Sequence, residues 1–237
     1  MALFFVSENA EAGNWSYEMD DEGLSTAASQ DGKYVVVGSK DDHVYLFQSN
    51  SSTPLWSYDT GKDVNSVAIS ADGWSIVAGS NNDDIMFWHR NSSTPVWVYD
   101  VGTDVISVDI TADGNFIAAI DEGHRAYVFD TDEDNWLDSD YLWRYSVGSQ
   151  AVDIDISDNG QSVAIIDDDS SGELILMDVS GHYENEDDPR KKWEYGIYDM
   201  YFLSLALSAD GEYIVAGTSY ESGDMDNDNI FLFNRDS

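Results

Sequence analysis

The chain contains no cysteine, which excludes disulfides, a thiol nucleophile and a cysteine-ligated zinc site. It holds 3 prolines, and 10 basic residues against 47 acidic ones. No apolar run approaches the roughly 20 residues that span a bilayer. The opening Met1-Ala2-Leu3-Phe4-Phe5-Val6 is short and has no basic residue before it, so it is a poor signal peptide and reads better as a strand. No stretch sustains a helical period over about ten residues. The formal net charge of −37 repels phosphate backbones and anionic bilayers, so neither nucleic acid nor a membrane is expected as a partner.

What the chain does have is a repeat. Ser29-Gln30-Asp31-Gly32, Ser70-Ala71-Asp72-Gly73, Thr111-Ala112-Asp113-Gly114, Ser157-Asp158-Asn159-Gly160 and Ser208-Ala209-Asp210-Gly211 lie 41, 41, 46 and 51 residues apart. Each follows a Trp-x-Tyr by about a dozen residues, at Trp15, Trp56, Trp97, Trp143 and Trp193. Such a unit cannot bury its own apolar faces, so the copies must stack. The second copy shows four runs: Val64–Ile69, Ser75–Gly79, Ile85–Trp88 and Val96–Tyr99. They are separated by Ala71-Asp72-Gly73, Asn81–Asp84 and Asn91–Pro95, each a turn or loop signal. Four short strands in about 41 residues is the blade of a β-propeller, and an all-β fold of four-stranded antiparallel blades is expected. The loops from Asn50 to Trp56 and from Asn91 to Trp97 differ at one position, which suggests copying of one ancestral unit.

The strand ending in Ser-Ala-Asp-Gly, followed by Ile76-Val77-Ala78-Gly79-Ser80 and an aromatic third strand, resembles WD-repeat propellers. The regular Trp-x-Tyr is more similar to quinoprotein-like (PQQ-like) propellers, in which a tryptophan docks between neighbouring blades. Nothing in the chain marks a quinone pocket or its calcium ligands. The resemblance implies a fold and a scaffolding habit, with no activity attached. The excess of acid over lysine resembles proteins of halophilic or salt-tolerant archaea, whose surfaces are screened in brine.

Residues 1–237 read as one propeller domain, with blades at roughly 18–58, 59–99, 100–145, 146–195 and 196–237. The last blade supplies three strands, and 14–17 is a candidate closing strand for it. Residues 3–9 form a surplus strand without a slot. Two readings stay open: a closed five-bladed ring, or part of a larger ring. The compartment is open too, with the cell surface fitting a fragment.

Three groups of residues are candidates for function. The loops around the mouth of the ring are rich in acids, and Asp41, Asp42, Asp83, Asp84, Asp121, Glu122 and Asp168 form a candidate binding face for cations or a basic partner. The inner strands carry Asp109, Asp153 and Asp155 among apolar residues, where a carboxylate must be hydrated, paired or metal-bound. Asp224, Asp226 and Asp228 have the alternate-oxygen spacing of a calcium loop, although Asn229 stands where a glycine is expected and Arg235 where a glutamate would close the site. His43 and His124 occupy similar loop positions, and no nucleophilic triad is legible. The expected function is a non-catalytic binding scaffold with an acidic loop face and no obligate cofactor. The alternatives are a secreted or surface hydrolase using the channel carboxylates, and a cation-binding propeller.

Overall fold

The computed structural model describes residues 14–132, 141–148, 150–168, 172–179, 191–197, 200–220 and 229–236. The surplus strand at 3–9, the calcium-loop candidates Asp224, Asp226 and Asp228, and Trp136 lie outside them. Nineteen strands form five antiparallel sheets, and no helix occurs among the described residues. The first sheet is Gly23–Ala28 (β1), Tyr34–Ser39 (β2), His43–Gln48 (β3) and Trp56–Asp59 (β4); the second is Val64–Ile69 (β5), Ser75–Ser80 (β6), Asp84–His89 (β7) and Trp97–Asp100 (β8). The third is Val105–Ile110 (β9), Phe116–Asp121 (β10), Arg125–Asp130 (β11) and Trp143–Ser146 (β12). The fourth is Ala151–Ile156 (β13), Ser162–Asp167 (β14), Glu173–Asp178 (β15) and Lys191–Gly196 (β16). The fifth is Met200–Leu207 (β17), Tyr213–Tyr220 (β18) and Ile230–Asn234 (β19). Within each sheet the strands pair in chain order, which makes every sheet a meander.

The repeated Ser-x-Asp-Gly explains the first turn of each blade. Its hydroxyl donates to the Asp or Asn side chain two residues on, over 2.6–2.8 Å in all five copies. The same hydroxyl accepts the amide that opens the next strand, at Tyr34, Ser75, Phe116, Ser162 and Tyr213. The glycine then turns the chain at φ values from +64° to +74°, a region closed to most side chains. These turns also touch one another. Gln30 N–H donates to Ala71 O, Ala71 N–H to Ala112 O, Ala112 N–H to Asp158 O and Asn159 N–H to Ala209 O, over 2.9–3.3 Å.

The core lies between the sheets. Four apolar clusters are found, one at each junction of consecutive sheets: Val36, Val44 and Leu46 against Val64, Ile76 and Trp88 at the first, and Ala164, Ile166 and Leu176 against Phe202 and Ile214 at the last. The inner strands β1, β5, β9, β13 and β17 lie side by side in that order, and among the described residues no comparable packing joins the fifth sheet to the first. The Trp-x-Tyr of each fourth strand docks on the third strand of the next sheet. Trp56 lies 5.9 Å from the Trp88 ring, and its indole N–H donates to Arg90 O at 2.8 Å. Trp193 repeats this with Phe233 and Arg235 O, at 5.6 and 2.9 Å. No helix among the described residues is long and apolar enough to cross a membrane.

Where the inner strand of one sheet meets the second strand of the sheet before it, glycine makes room. A Cβ on Gly38 would meet Val64 Cγ1 at 2.7 Å, and one on Gly79 would meet Val105 Cγ1 at 2.3 Å. At the corresponding site of the next junction the sizes are reversed, with Ile120 against Ala151. Gly217 holds this place in the fifth sheet and has only Ser204 Oγ, 3.5 Å away. Gly79→Ala is therefore expected to destabilise the chain by about 1–3 kcal/mol, because a packed valine must shift. Gly217→Ala is expected to stay within about 0.5 kcal/mol of the parent. Urea-unfolding midpoints of the two variants check this, and equal losses would contradict it.

Candidate functional site

At the end opposite the Ser-x-Asp-Gly turns, the loop entering each of the first four blades is tied to the loop between its second and third strands. Lys40 N–H donates to Glu22 O, Asn81 to Asp63, Glu122 to Asp104 and Asp168 to Gln150, over 2.9–3.0 Å. This repeated bond fixes the rim at this end of the inner strands, the mouth of the propeller. The mouth holds a cleft of about 360 Å³ lined by Asn65, Asn81, Asp104, Ile106, Glu122, Gln150, Ala151, Val152 and Asp168. Three of these are acids and none is basic. Partial burial, then the charge of Glu122 and a hydrogen bond with Asp83, push the Asp104 carboxyl up from its ordinary value, while Lys62 opposes them. The Asn65 amide donates to Asn81 Oδ1 and to Val105 O, which fixes one wall.

The expected acidic face divides under this geometry. Glu122 and Asp168 are exposed and line the cleft, and Asp83 reaches it through Asp104. Asp42 and Asp83 sit at positive φ, +68° and +72°, and their carbonyls accept Thr60 N–H and Val101 N–H. Asp41 and Asp121 point inward. Asp41 accepts the Tyr45 hydroxyl at 2.8 Å. Asp121, only 1% exposed, accepts the Tyr127 hydroxyl at 3.1 Å and pairs with Arg125 at 2.7 Å. Asp84 faces Asp100 across the β7–β8 pair, and burial with that like charge raises its pKa.

The three inner-strand carboxylates have backbone partners in the neighbouring sheet. Asp109 accepts Ile156 N–H at 2.9 Å, Asp153 accepts Leu205 N–H at 3.1 Å, and Asp155 accepts Leu207 N–H at 2.6 Å. Serines do the same in the early sheets, where Ser25 accepts Val67 N–H and Ser66 accepts Val108 N–H, both at 3.1 Å. Asp109 and Asp155 also hydrogen-bond to each other. Two carboxylates can do so only by holding a proton between them. Burial first, then the Asp109 partner, pushes Asp155 up to about 9, and burial raises Asp109 as well. Burial also raises Asp153, against the N–H bonds from Leu205 and Ile154.

The lateral pairing of Asp109 with Asp155 was readable in the sequence: they lie 46 residues apart, as do Thr111 and Ser157. Asn65, Asn81 and Gln150 carried no such signal. The histidine expectation is corrected by register. His124, at φ +61°, shares its place with Asp42 and Asp83, whereas His43 opens a third strand as Asp84 and Arg125 do. No group of three His, Asp or Glu converges as a metal cage among the described residues.

No family model matches the chain, and no curated protein matches its sequence. Solved structures match its fold. A Kuenenia stuttgartiensis hydrazine synthase chain superposes with a TM-score of 0.72 at 12% identity, over 97% of this chain and 66% of that one. A chain of a mitotic checkpoint complex superposes with a TM-score of 0.68 at 15% identity, over 88% of this chain and 62% of that one. The chain thus spans just under two thirds of these neighbours, which are β-propellers, and its fold is a β-propeller. Identities this low carry the fold alone.

The shared proton makes a pH test. In the unfolded chain Asp155 ionises near its ordinary value, about 3.9. The folded chain retains the proton up to about 9, so this group's contribution is complete in acid and declines as pH rises between those values. Asp155→Asn keeps an acceptor for Leu207 N–H and offers an amide N–H to Asp109. Its stability relative to the parent is expected to climb between about pH 5 and about pH 8, by up to about 1.4 kcal/mol per unit. Urea midpoints in concentrated potassium chloride read the difference, and one that does not change with pH would refute the shared proton.

Proposed function

We propose that this protein is a non-catalytic interaction scaffold whose acidic channel mouth receives a basic segment of a protein partner. The observation that carries the reading is the cleft whose lining includes Asp104, Glu122 and Asp168 and no basic residue. Carboxylates that line one cleft without a basic neighbour in its lining gain when a lysine or arginine side chain enters. The repeated backbone ties support a rigid mouth, which lowers the ordering cost of binding. One of the fold neighbours belongs to a complex of proteins, which supports a protein partner by analogy of fold only.

Acids at the opposite end are occupied otherwise, which favours the mouth. Asp31 and Asp210 are held below the ordinary carboxylate range, chiefly by side-chain bonds with Lys33 and Ser208 respectively. Asp72 and Asp113 accept the hydroxyl and amide of their own turns.

A fluorescent peptide carrying alternating arginines is the probe. Its affinity is expected to fall steeply with salt. Joint replacement of Asp104→Asn, Glu122→Gln and Asp168→Asn should weaken it about tenfold or more, from the loss of three charge-assisted contacts. The control removes the exposed acids Asp158, Glu212 and Asp236 at the other end by Asp→Asn and Glu→Gln. Equal losses from the two triple variants would mean that only net charge matters, and the cleft reading would fall.

A further inference from the structure

We propose that a second copy of this chain covers the open face of the fifth sheet, presenting its own Trp15-Ser16-Tyr17 to the edge of β19. The contact is end to end and joins two different faces.

The fifth sheet is built for a neighbour. Ile230 is 81% exposed and Leu232 67%. The residues in Ile230's place in the other sheets, Val44, Ile85, Ala126 and Leu174, are all at 0%, as are Leu46 and Phe87 in the place of Leu232. The unfilled Gly217 opens onto the same face, in a cleft of about 320 Å³. Among the described residues β19 pairs only with β18, so the sheet has three strands where the others have four.

The other end of the chain carries the complement. Trp15 and Tyr17 lie 5.1 and 5.2 Å from the Phe47 ring, and the Trp15 indole N–H donates to Ser49 O at 2.7 Å. This is how Trp56 and Trp193 dock, with the indole bonded to the residue that follows the third strand. Residues 15–17 therefore stand where a fourth strand belongs, with no sheet behind them among the described residues. Among the described residues the fifth sheet has three strands, and residues 15–17 hold the place of a fourth beside the first sheet. The junction between copies would continue an interface that the chain already makes four times within itself.

The internal registers fix the alignment. Trp56 lies opposite Leu46 and Tyr58 opposite Val44. Trp15 of one copy then lies opposite Leu232 of the next, Ser16 opposite Phe231 and Tyr17 opposite Ile230. Because the joined faces differ, copies add in one direction. The net charge of −37 opposes the contact at low ionic strength. Salt near 1 M shrinks the screening length to about 3 Å and removes most of that repulsion.

Sedimentation velocity in dilute and in concentrated potassium chloride tests the proposal. The chain is expected to be monomeric in dilute salt and to form a concentration-dependent series of oligomers in concentrated salt. Ile230→Asp with Leu232→Asp blocks one end, and Trp15→Ala with Tyr17→Ser blocks the other. Each double variant alone should stay monomeric, and a mixture should give dimers and nothing larger. A parent chain that is monomeric in both salts overturns the proposal. So does either double variant forming a dimer by itself, which would mean like faces pairing. Cysteine chemistry supplies a second readout that survives if a blocked variant folds poorly, since the chain has no cysteine of its own. Ser16→Cys and Phe231→Cys placed in one chain should oxidise to an intermolecular ladder. An intramolecular disulfide in a monomer would show the chain closing on itself, and absence of any disulfide would remove the register; either result sinks the proposal.

Discussion

A single blade of this protein cannot keep its apolar side chains dry. Each sheet buries its faces only against the sheets beside it, and the rest of the architecture follows from that need. The four apolar clusters sit at the four junctions of consecutive sheets. Burying one Leu or Ile side chain contributes about 1.5–3 kcal/mol, against about 0.5–1.5 kcal/mol for a typical hydrogen bond. The clusters therefore supply most of the cohesion. The turn-to-turn bonds and the serine or aspartate bridges between inner strands set the spacing and register. Stability in such a stack is close to a sum over neighbours, so damage at one junction should stay local.

Much of this was legible because it repeats. The Asp-Gly turns, the Trp-x-Tyr docking strands and the β-branched second strands each occur in several copies, and copies reveal which residues answer to the fold. The internal strands emerged within about a residue of their expected limits, as Val64–Ile69 and Ser75–Ser80 illustrate. The candidate site was harder to read, because a site consists of what differs between copies. Asp121 and Glu122 are neighbours in sequence, yet one is sealed against Tyr127 and Arg125 and the other faces the cleft. Asp121 is the last residue of a strand buried on both faces and Glu122 opens the turn after it, so the strand's end had to be known to the residue before that sorting was visible. The cleft's uncharged members, Asn65, Asn81 and Gln150, came into view only with the fold.

The acid excess also resolves into distinct uses. Asp31, Asp72 and Asp113 lock tight turns. Asp109, Asp153 and Asp155 bridge adjacent inner strands, where serine does the same with less electrostatic cost. Only a part of the remainder stands at the mouth. A surface this negative thus owes some of its acids to backbone geometry, and a tally of charges alone overstates what is offered to a partner.

The turn between the second and third strands holds Asp42, Asp83 and His124 in turn at φ +68°, +72° and +61°. One backbone shape thus accepts a carboxylate in two blades and an imidazole in a third. Chemistry at the rim is free to drift while its contour stays constant. Selection can retune what such a ring recognises one blade at a time, without first solving the folding problem again.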